Sequence, residues 1–173
     1  NINWIQIPKN ASTSMKNLDI ISEKIQNFFD NDILETEKYF AITRNPYDRF
    51  LSLYNYYTKG NKSGPKFEKK LKKIKVLDNS NPSIEEFINV LPFLDSSNRC
   101  HHVWPQSWFL PKNTDKIIFI DINNIQKELK NKLNIDVTIP FKNTQTYLKT
   151  LTKKDKEMIY NIYKTDFDLF NYE

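Results

Sequence analysis

The 173-residue sequence predicts an α/β fold, three layers around a mostly parallel central sheet, on three observations. Short β-rich runs, Trp4-Ile5-Gln6-Ile7, Tyr39-Phe40-Ala41-Ile42-Thr43 and Lys116-Ile117-Ile118-Phe119-Ile120-Asp121, alternate with segments of helical periodicity. The first two runs stop at a charged residue within two positions of a proline, Pro8-Lys9 and Arg44-Asn45-Pro46, as strands that turn into helices do. Finally, 39% hydrophobic and 14% aromatic content over this length is enough for one sizeable core, and neither an internal repeat nor a linker divides the chain, so residues 1–173 read as a single domain.

The opening stretch, Ile5 to Met15, reads as strand, tight loop and helix, the helix continuing through Met15, Leu18, Ile21 and Ile25. At such a junction unpaired N–H groups and the positive end of the helix dipole favour an anion, above all a phosphate. Lys9 adds a mobile charge, and Ser12, Thr13 and Ser14 add hydroxyl donors. An ordinary turn with a Ser or Thr cap reads the same residues as well. After the second strand, Pro46 opens a helix whose Tyr47, Phe50, Leu51, Tyr54 and Tyr57 form a core face, with Arg49 expected to pair with a carboxylate. Ser83 and Glu86 form a capping-box pattern before a short helix ending near Leu91. Residues 92–113 read as an irregular loop rich in functional side chains, among them His101, His102, Trp104, Gln106 and Trp108. The strand at Lys116 is followed by a helix with Ile125, Leu129 and Leu133, an extended piece at Val137 to Ile139, and a last helix capped by Thr152.

Composition excludes several function classes. With only Gly60 and Gly64 in the chain, neither the G-x-x-x-x-G-K-[ST] loop nor the G-x-G-x-x-G fingerprint can be written, so common ATPases, GTPases and nicotinamide-dependent dehydrogenases are disfavoured. Eight lysines and one glutamate lie between Lys59 and Lys75, so in a chain of net charge +5 the remainder is slightly acidic. Phe67, Leu71 and Ile74 give that segment one apolar stripe, and it reads either as a solvated helix face or as a patch for an anionic partner. The single Cys100 excludes an intrachain disulfide. Adjacent His101 and His102 do not make a chelating pair, and no metal is expected. No apolar run reaches the roughly 18 residues of a membrane span, and no signal peptide opens the chain, which reads as soluble. Localisation stays open: cytoplasmic for a complete chain, Golgi lumen if an anchor has been removed.

Ile7-Pro8-Lys9-Asn10-Ala11-Ser12-Thr13-Ser14-Met15, taken with Arg44-Asn45-Pro46-Tyr47-Asp48-Arg49-Phe50-Leu51-Ser52-Leu53-Tyr54, resembles the two cofactor motifs of sulfotransferases that use 3′-phosphoadenosine 5′-phosphosulfate (PAPS). The ending, Ile162 to Tyr172, is similar to the C-terminus of the carbohydrate branch of that family, including chondroitin- and heparan-type enzymes. The resemblance implies the P-loop-like sulfotransferase fold and transfer of a sulfuryl group from PAPS to a hydroxyl of a glycan, with adenosine 3′,5′-bisphosphate as product. It implies that Lys9, Asn10, Ala11, Ser12, Thr13 and Ser14 hold the 5′-phosphosulfate, that Arg44 and Ser52 clamp the 3′-phosphate, and that Lys9 stabilises the leaving oxygen. His102, in a stretch similar to a histidine-containing segment of the branch, is the first candidate for the base, and His101 the second. Two other readings stay open. One is an inactive relative that binds a nucleotide or glycan; the other is a nucleic-acid module using the lysine patch, disfavoured because Phe67 is the only aromatic within it.

Overall fold

The computed structural model describes residues 2–15, 21–25, 38–58, 82–98, 101–139 and 150–173. Four strands, β1 (Ile2–Ile5), β2 (Ile21–Ile25), β3 (Lys38–Thr43) and β4 (Ile117–Asp121), form a parallel sheet in the order β2-β1-β3-β4. The helices are α1 (Ser12–Met15), α2 (Pro46–Thr58), α3 (Ile84–Asn98), α4 (Ile125–Leu133) and α5 (Lys153–Phe170), with 3-10 turns at His101–Val103, Gln106–Phe109 and Ile122–Asn124. The architecture is α/β with a parallel sheet, as the alternation of the sequence predicts.

Alternation along the strands explains why both faces are covered. Trp4, Phe40, Ile42 and Ile120 pack on one face with Met15 and with Ile125 and Leu129 of α4. Ile5, Tyr39, Ala41 and Ile117 face the other way, against Ile7, Phe109 and Leu110. A further apolar cluster joins α2, α3 and α5 through Phe50, Leu53, Phe87, Leu94, Ile159 and Phe167, and Trp104 packs against both this cluster and the second sheet face. The sheet and the three-helix cluster are thereby continuous around the 101–110 segment.

The chain reverses its winding direction at β1, leading to β2 on one side and to β3 on the other. The carboxyl ends of β1 and β3 therefore flank a topological switch point, where open α/β sheets place their ligands. The residues immediately beyond those two ends are Gln6 to Asn10 and Arg44.

Several elements differ from the sequence reading. Ile21 and Ile25, read as part of the first helical stripe, lie on β2 in register with Ile2 and Ile5. The same isoleucines fit a strand at least as well as a helix, and pairing with β1 decides between them. The helix opened by the Ser83–Glu86 capping box does not stop near Leu91 but runs through Pro92 to Asn98. Burial of Phe87, Ile88, Leu91 and Leu94 outweighs the hydrogen bond that proline removes. Thr152 caps α5 in a full capping box with Asp155, as its position predicts. Lys59 to Lys75, Leu18 and Cys100 lie outside the described residues.

Candidate functional site

The loop after β1 is held in an unusual backbone conformation by its own sequence. Lys9 and Ala11 both have positive φ, 70° and 55°, a region that non-glycine residues enter at a cost. Asn10 N–H donates to Ile7 C=O at 3.3 Å, Ser12 Oγ donates to the same carbonyl at 3.2 Å, and Ala11 C=O accepts from the N–H groups of Ser14 and Met15. The amides of Asn10 and Ser14 are therefore engaged inside the loop, and Ser12 folds back on it. Thr13 is exposed, whereas Ser14 is buried. The sequence treated Asn10 to Ser14 as one set of donors; the fold divides them into residues that shape the loop and residues that face outward.

Asn45 and Pro46 start α2 in the manner their types favour. Asn45 Oδ1 accepts from Tyr47 N–H at 2.9 Å and its carbonyl accepts from Arg49 N–H, with Pro46 at the first helical position. Arg44 is thus left at the strand end, and its Nη1 donates to Lys9 C=O at 3.1 Å. Arg49, Ser52 and Tyr56 recur at i, i+3 and i+7 on one face of α2. The two outer members of that row both touch the Lys9 loop: Arg49 Nε donates to Pro8 C=O at 3.2 Å, and Lys9 Nζ lies over the Tyr56 ring, 4.3 Å from its centroid. Ser52 lies between them on the same face, half-buried.

Arg49, expected to pair with a carboxylate, instead spans three backbone carbonyls. Besides Pro8 it donates from Nη1 to Trp104 C=O at 2.9 Å and from Nη2 to His102 C=O at 3.2 Å. It is 2% exposed, and the planar guanidinium can reach all three at once because its donors form a fixed fork. Burial lowers its pKa from the usual arginine value, with Tyr163 and Asp166 acting in the opposite sense.

Lys9, Arg44 and Arg49 form a cationic cluster, and no carboxylate of the described residues pairs with the Lys9 ammonium. Burial, then Arg44 and then Arg49 lower the Lys9 pKa to about 8. An anion placed here would relieve that strain. His102 also packs against Tyr56, with ring centroids 5.7 Å apart, and stacks on His101 at 4.5 Å. Burial, then His101, Lys9 and Arg49, lower the His102 pKa to about 4, so its imidazole is neutral at neutral pH. From His101 the aromatic row continues to Trp104 at 6.4 Å and on to Trp108, 6.0 Å further, whose side of the row is open to solvent.

Sequence reasoning gave Gln106, Asp166 and Tyr172 no roles. Asp166, fully buried, accepts from the backbone N–H groups of Gln106 and Ser107 at 2.7 and 2.8 Å, which anchors the 106–109 turn to α5. Tyr163 Oη donates to Val103 C=O at 2.8 Å. Tyr172 Oη lies 3.1 Å from Thr43 Oγ1 and donates to Asp121 Oδ2 at 3.1 Å, tying the last residues to the ends of β3 and β4. The run from Tyr163 to Tyr172 mixes aromatic and acidic residues, but the partners of Asp166 and Tyr172 lie about 50 to 130 positions away, beyond any local pattern.

The family model for the sulfotransferase family matches residues 1–140, and the chain belongs to that family. The matched span contains the Lys9 loop, Arg44, Ser52 and His102. No curated protein and no solved structure matches the chain. Family membership supports sulfotransfer as the activity and a sulfuryl donor as cosubstrate.

Proposed function

We propose that the protein transfers a sulfuryl group from PAPS to a hydroxyl of a carbohydrate. The observation that carries this reading is the convergence of Lys9 and Arg44 just beyond the carboxyl ends of β1 and β3, bonded to each other through the Lys9 carbonyl, with no acidic partner for the lysine among the described residues. That set of groups fits a ligand with two separate phosphates. The Lys9 loop, shaped by Ser12 and Ser14 and with Thr13 exposed on it, takes the 5′-phosphosulfate end, and Arg44 with Ser52 takes the 3′-phosphate. The donor supplies an activated sulfuryl group, and the protein positions it and neutralises charge.

Within that frame Lys9 is the residue that meets the negative charge developing on the leaving phosphate oxygen. Tyr56 lies under its ammonium, and the two arginines fix the loop backbone through the carbonyls of Pro8 and Lys9, so little reorganisation accompanies the reaction. His102 takes the proton of the acceptor hydroxyl, and its neutral state is secured by burial first and then by its neighbours His101, Lys9 and Arg49. The aromatic row from His101 to Trp108 offers flat apolar faces of the kind that sugar rings stack on, which favours a glycan acceptor.

The test is nucleotide-dependent stabilisation together with turnover of sulfur-labelled PAPS on glycan acceptors. Adenosine 3′,5′-bisphosphate at about 100 times its dissociation constant should stabilise the fold by roughly 2.7 kcal/mol, and ADP at the same concentration by much less. Equal shifts would remove the 3′-phosphate role from Arg44 and Ser52. Binding without labelled product on any acceptor would favour an inactive relative.

A further inference from the structure

Gln106 occupies a position that neither the family motifs nor the catalytic roles account for. Its side-chain amide pairs with the peptide of Arg44 in both directions: Oε1 accepts from Arg44 N–H at 3.1 Å, and Nε2 donates to Arg44 C=O at 2.8 Å. The amide thus acts as one extra rung beyond the end of β3, where the ladder to β4 has stopped. The same Oε1 accepts a second bond from Asn10 Nδ2 at 2.6 Å, and Asn10 Nδ2 also donates to Ile42 C=O at 2.7 Å. Both amide orientations follow from these partners. Arg44 presents one donor and one acceptor to Gln106, while Asn10 Nδ2 meets only oxygens.

Gln106 and Asn10 are fully buried. Asn10 Oδ1 is buried without a hydrogen-bond partner among the described residues, a penalty accepted while Nδ2 makes two short bonds. Gln106 is itself fixed from behind, because its backbone N–H donates to the buried Asp166 carboxylate. One side chain therefore joins the loop that carries Lys9 to the peptide that carries Arg44, and is braced against α5.

We infer that Gln106 is the positioning residue that sets the separation of the two phosphate-binding halves of the site, and through it the preference for a nucleotide with phosphates at both the 3′ and 5′ positions. The inference rests on the donor reading given above. Gln106 does not touch the ligand; it acts through Arg44 and Asn10. A ligand phosphorylated only on its 5′ side uses the Lys9 half alone and is indifferent to the span. A 3′,5′-bisphosphate uses both halves and is sensitive to it.

The experiment measures calorimetric affinities of the full chain for adenosine 3′,5′-bisphosphate and for ADP. Gln106→Met keeps the length of the side chain and removes all three bonds. It should weaken adenosine 3′,5′-bisphosphate binding about 10-fold to 100-fold and ADP binding less than about threefold, so that the selectivity ratio collapses. A merely structural role would weaken both nucleotides alike and leave the ratio unchanged, and that result overturns the inference. Should Gln106→Met fail to fold, Asp166→Asn serves in its place. It leaves the Gln106 amide intact but loosens its anchor, and should lower the ratio by about 3-fold to 10-fold; an unchanged ratio there also overturns the inference. A wild-type protein that shows no preference between the two nucleotides overturns the donor reading and this inference with it. A preference that survives both substitutions overturns this inference alone.

Discussion

Lys9 and His102 are displaced from their ordinary ionisation in the same direction and by related causes, burial and a shared cationic neighbourhood. The consequence is a defined pH window for the free enzyme. His102 is neutral above about pH 4 and Lys9 is charged below about pH 8, so kcat/KM should be level between those limits and fall on either side. Bound phosphate raises both pKa values, and the kcat profile should lie at higher pH than that of kcat/KM. An acid limb of kcat/KM near pH 6.5 would mean that the base is a histidine without these neighbours, or another group. Lys9→Ala should reduce kcat about 100-fold to 1000-fold with a much smaller change in adenosine 3′,5′-bisphosphate affinity, measured by labelled sulfate transfer and calorimetry. His102→Ala should reduce kcat by roughly 100-fold to 10,000-fold, with His101→Ala as the milder control. Near-normal turnover in either the Lys9 or the His102 variant would reassign that residue's role.

At the scale of elements, the site is a junction of pieces that no single helix or strand supplies. The Lys9 loop comes from β1, Arg44 from β3, Ser52 and Tyr56 from α2, and His102 from the first 3-10 turn. Arg49 is the tie among three of these, since its three carbonyl partners belong to the loop and to the 101–104 segment. Replacing Arg49 by methionine leaves those acceptors without a charged donor and should destabilise the fold by about 3–5 kcal/mol. In a domain of this size that is a fall in Tm of the order of 10 °C, readable by calorimetry. A loss within about 0.5 kcal/mol would show that water replaces the guanidinium at little cost. By contrast, the exposed pairs Lys154–Glu85 and Lys164–Asp168 lie on solvated helix faces, where such contacts add little.

For the whole molecule the same two groups link stability to pH. The folded pKa of His102 is about 4 and the ordinary value 6.5, so between these the unfolded chain binds more protons and stability falls as the pH is lowered through that window. The folded pKa of Lys9 is about 8 and its ordinary value 10.5, so stability rises as the pH is raised from 8 towards 10.5. Each effect is on the order of 2 kcal/mol after allowance for partial solvent access. Urea titrations across these two ranges should show both trends, and Lys9→Met should abolish the alkaline one. Adenosine 3′,5′-bisphosphate binding at pH 8 should also take up protons as Lys9 is recharged, detectable as a dependence of the binding heat on buffer; no uptake would mean that the ligand does not sit beside Lys9.

The sequence by itself determined the alternation of strand and helix, the strands at residues 39–43 and 117–121, and the caps at Asn45-Pro46, Ser83 and Thr152. These depend on side-chain period and on hydrogen bonds within a few residues. It also marked Lys9 and Arg44, because a charge within two residues of a proline at a strand end is a local feature. Tertiary structure decided what local signals leave open. Ile21 and Ile25 became a strand because β1 offered an edge for pairing, and α3 passed through Pro92 because its apolar face had α2 and α5 to pack against. Arg49 turned to carbonyls rather than a carboxylate, and Gln106 came to bind Asn10 and Arg44, partners 96 and 62 positions away. Those contacts form only when the sheet order brings the ends of β1 and β3 side by side, so the sequence supplied the charged residues and the fold set their separation.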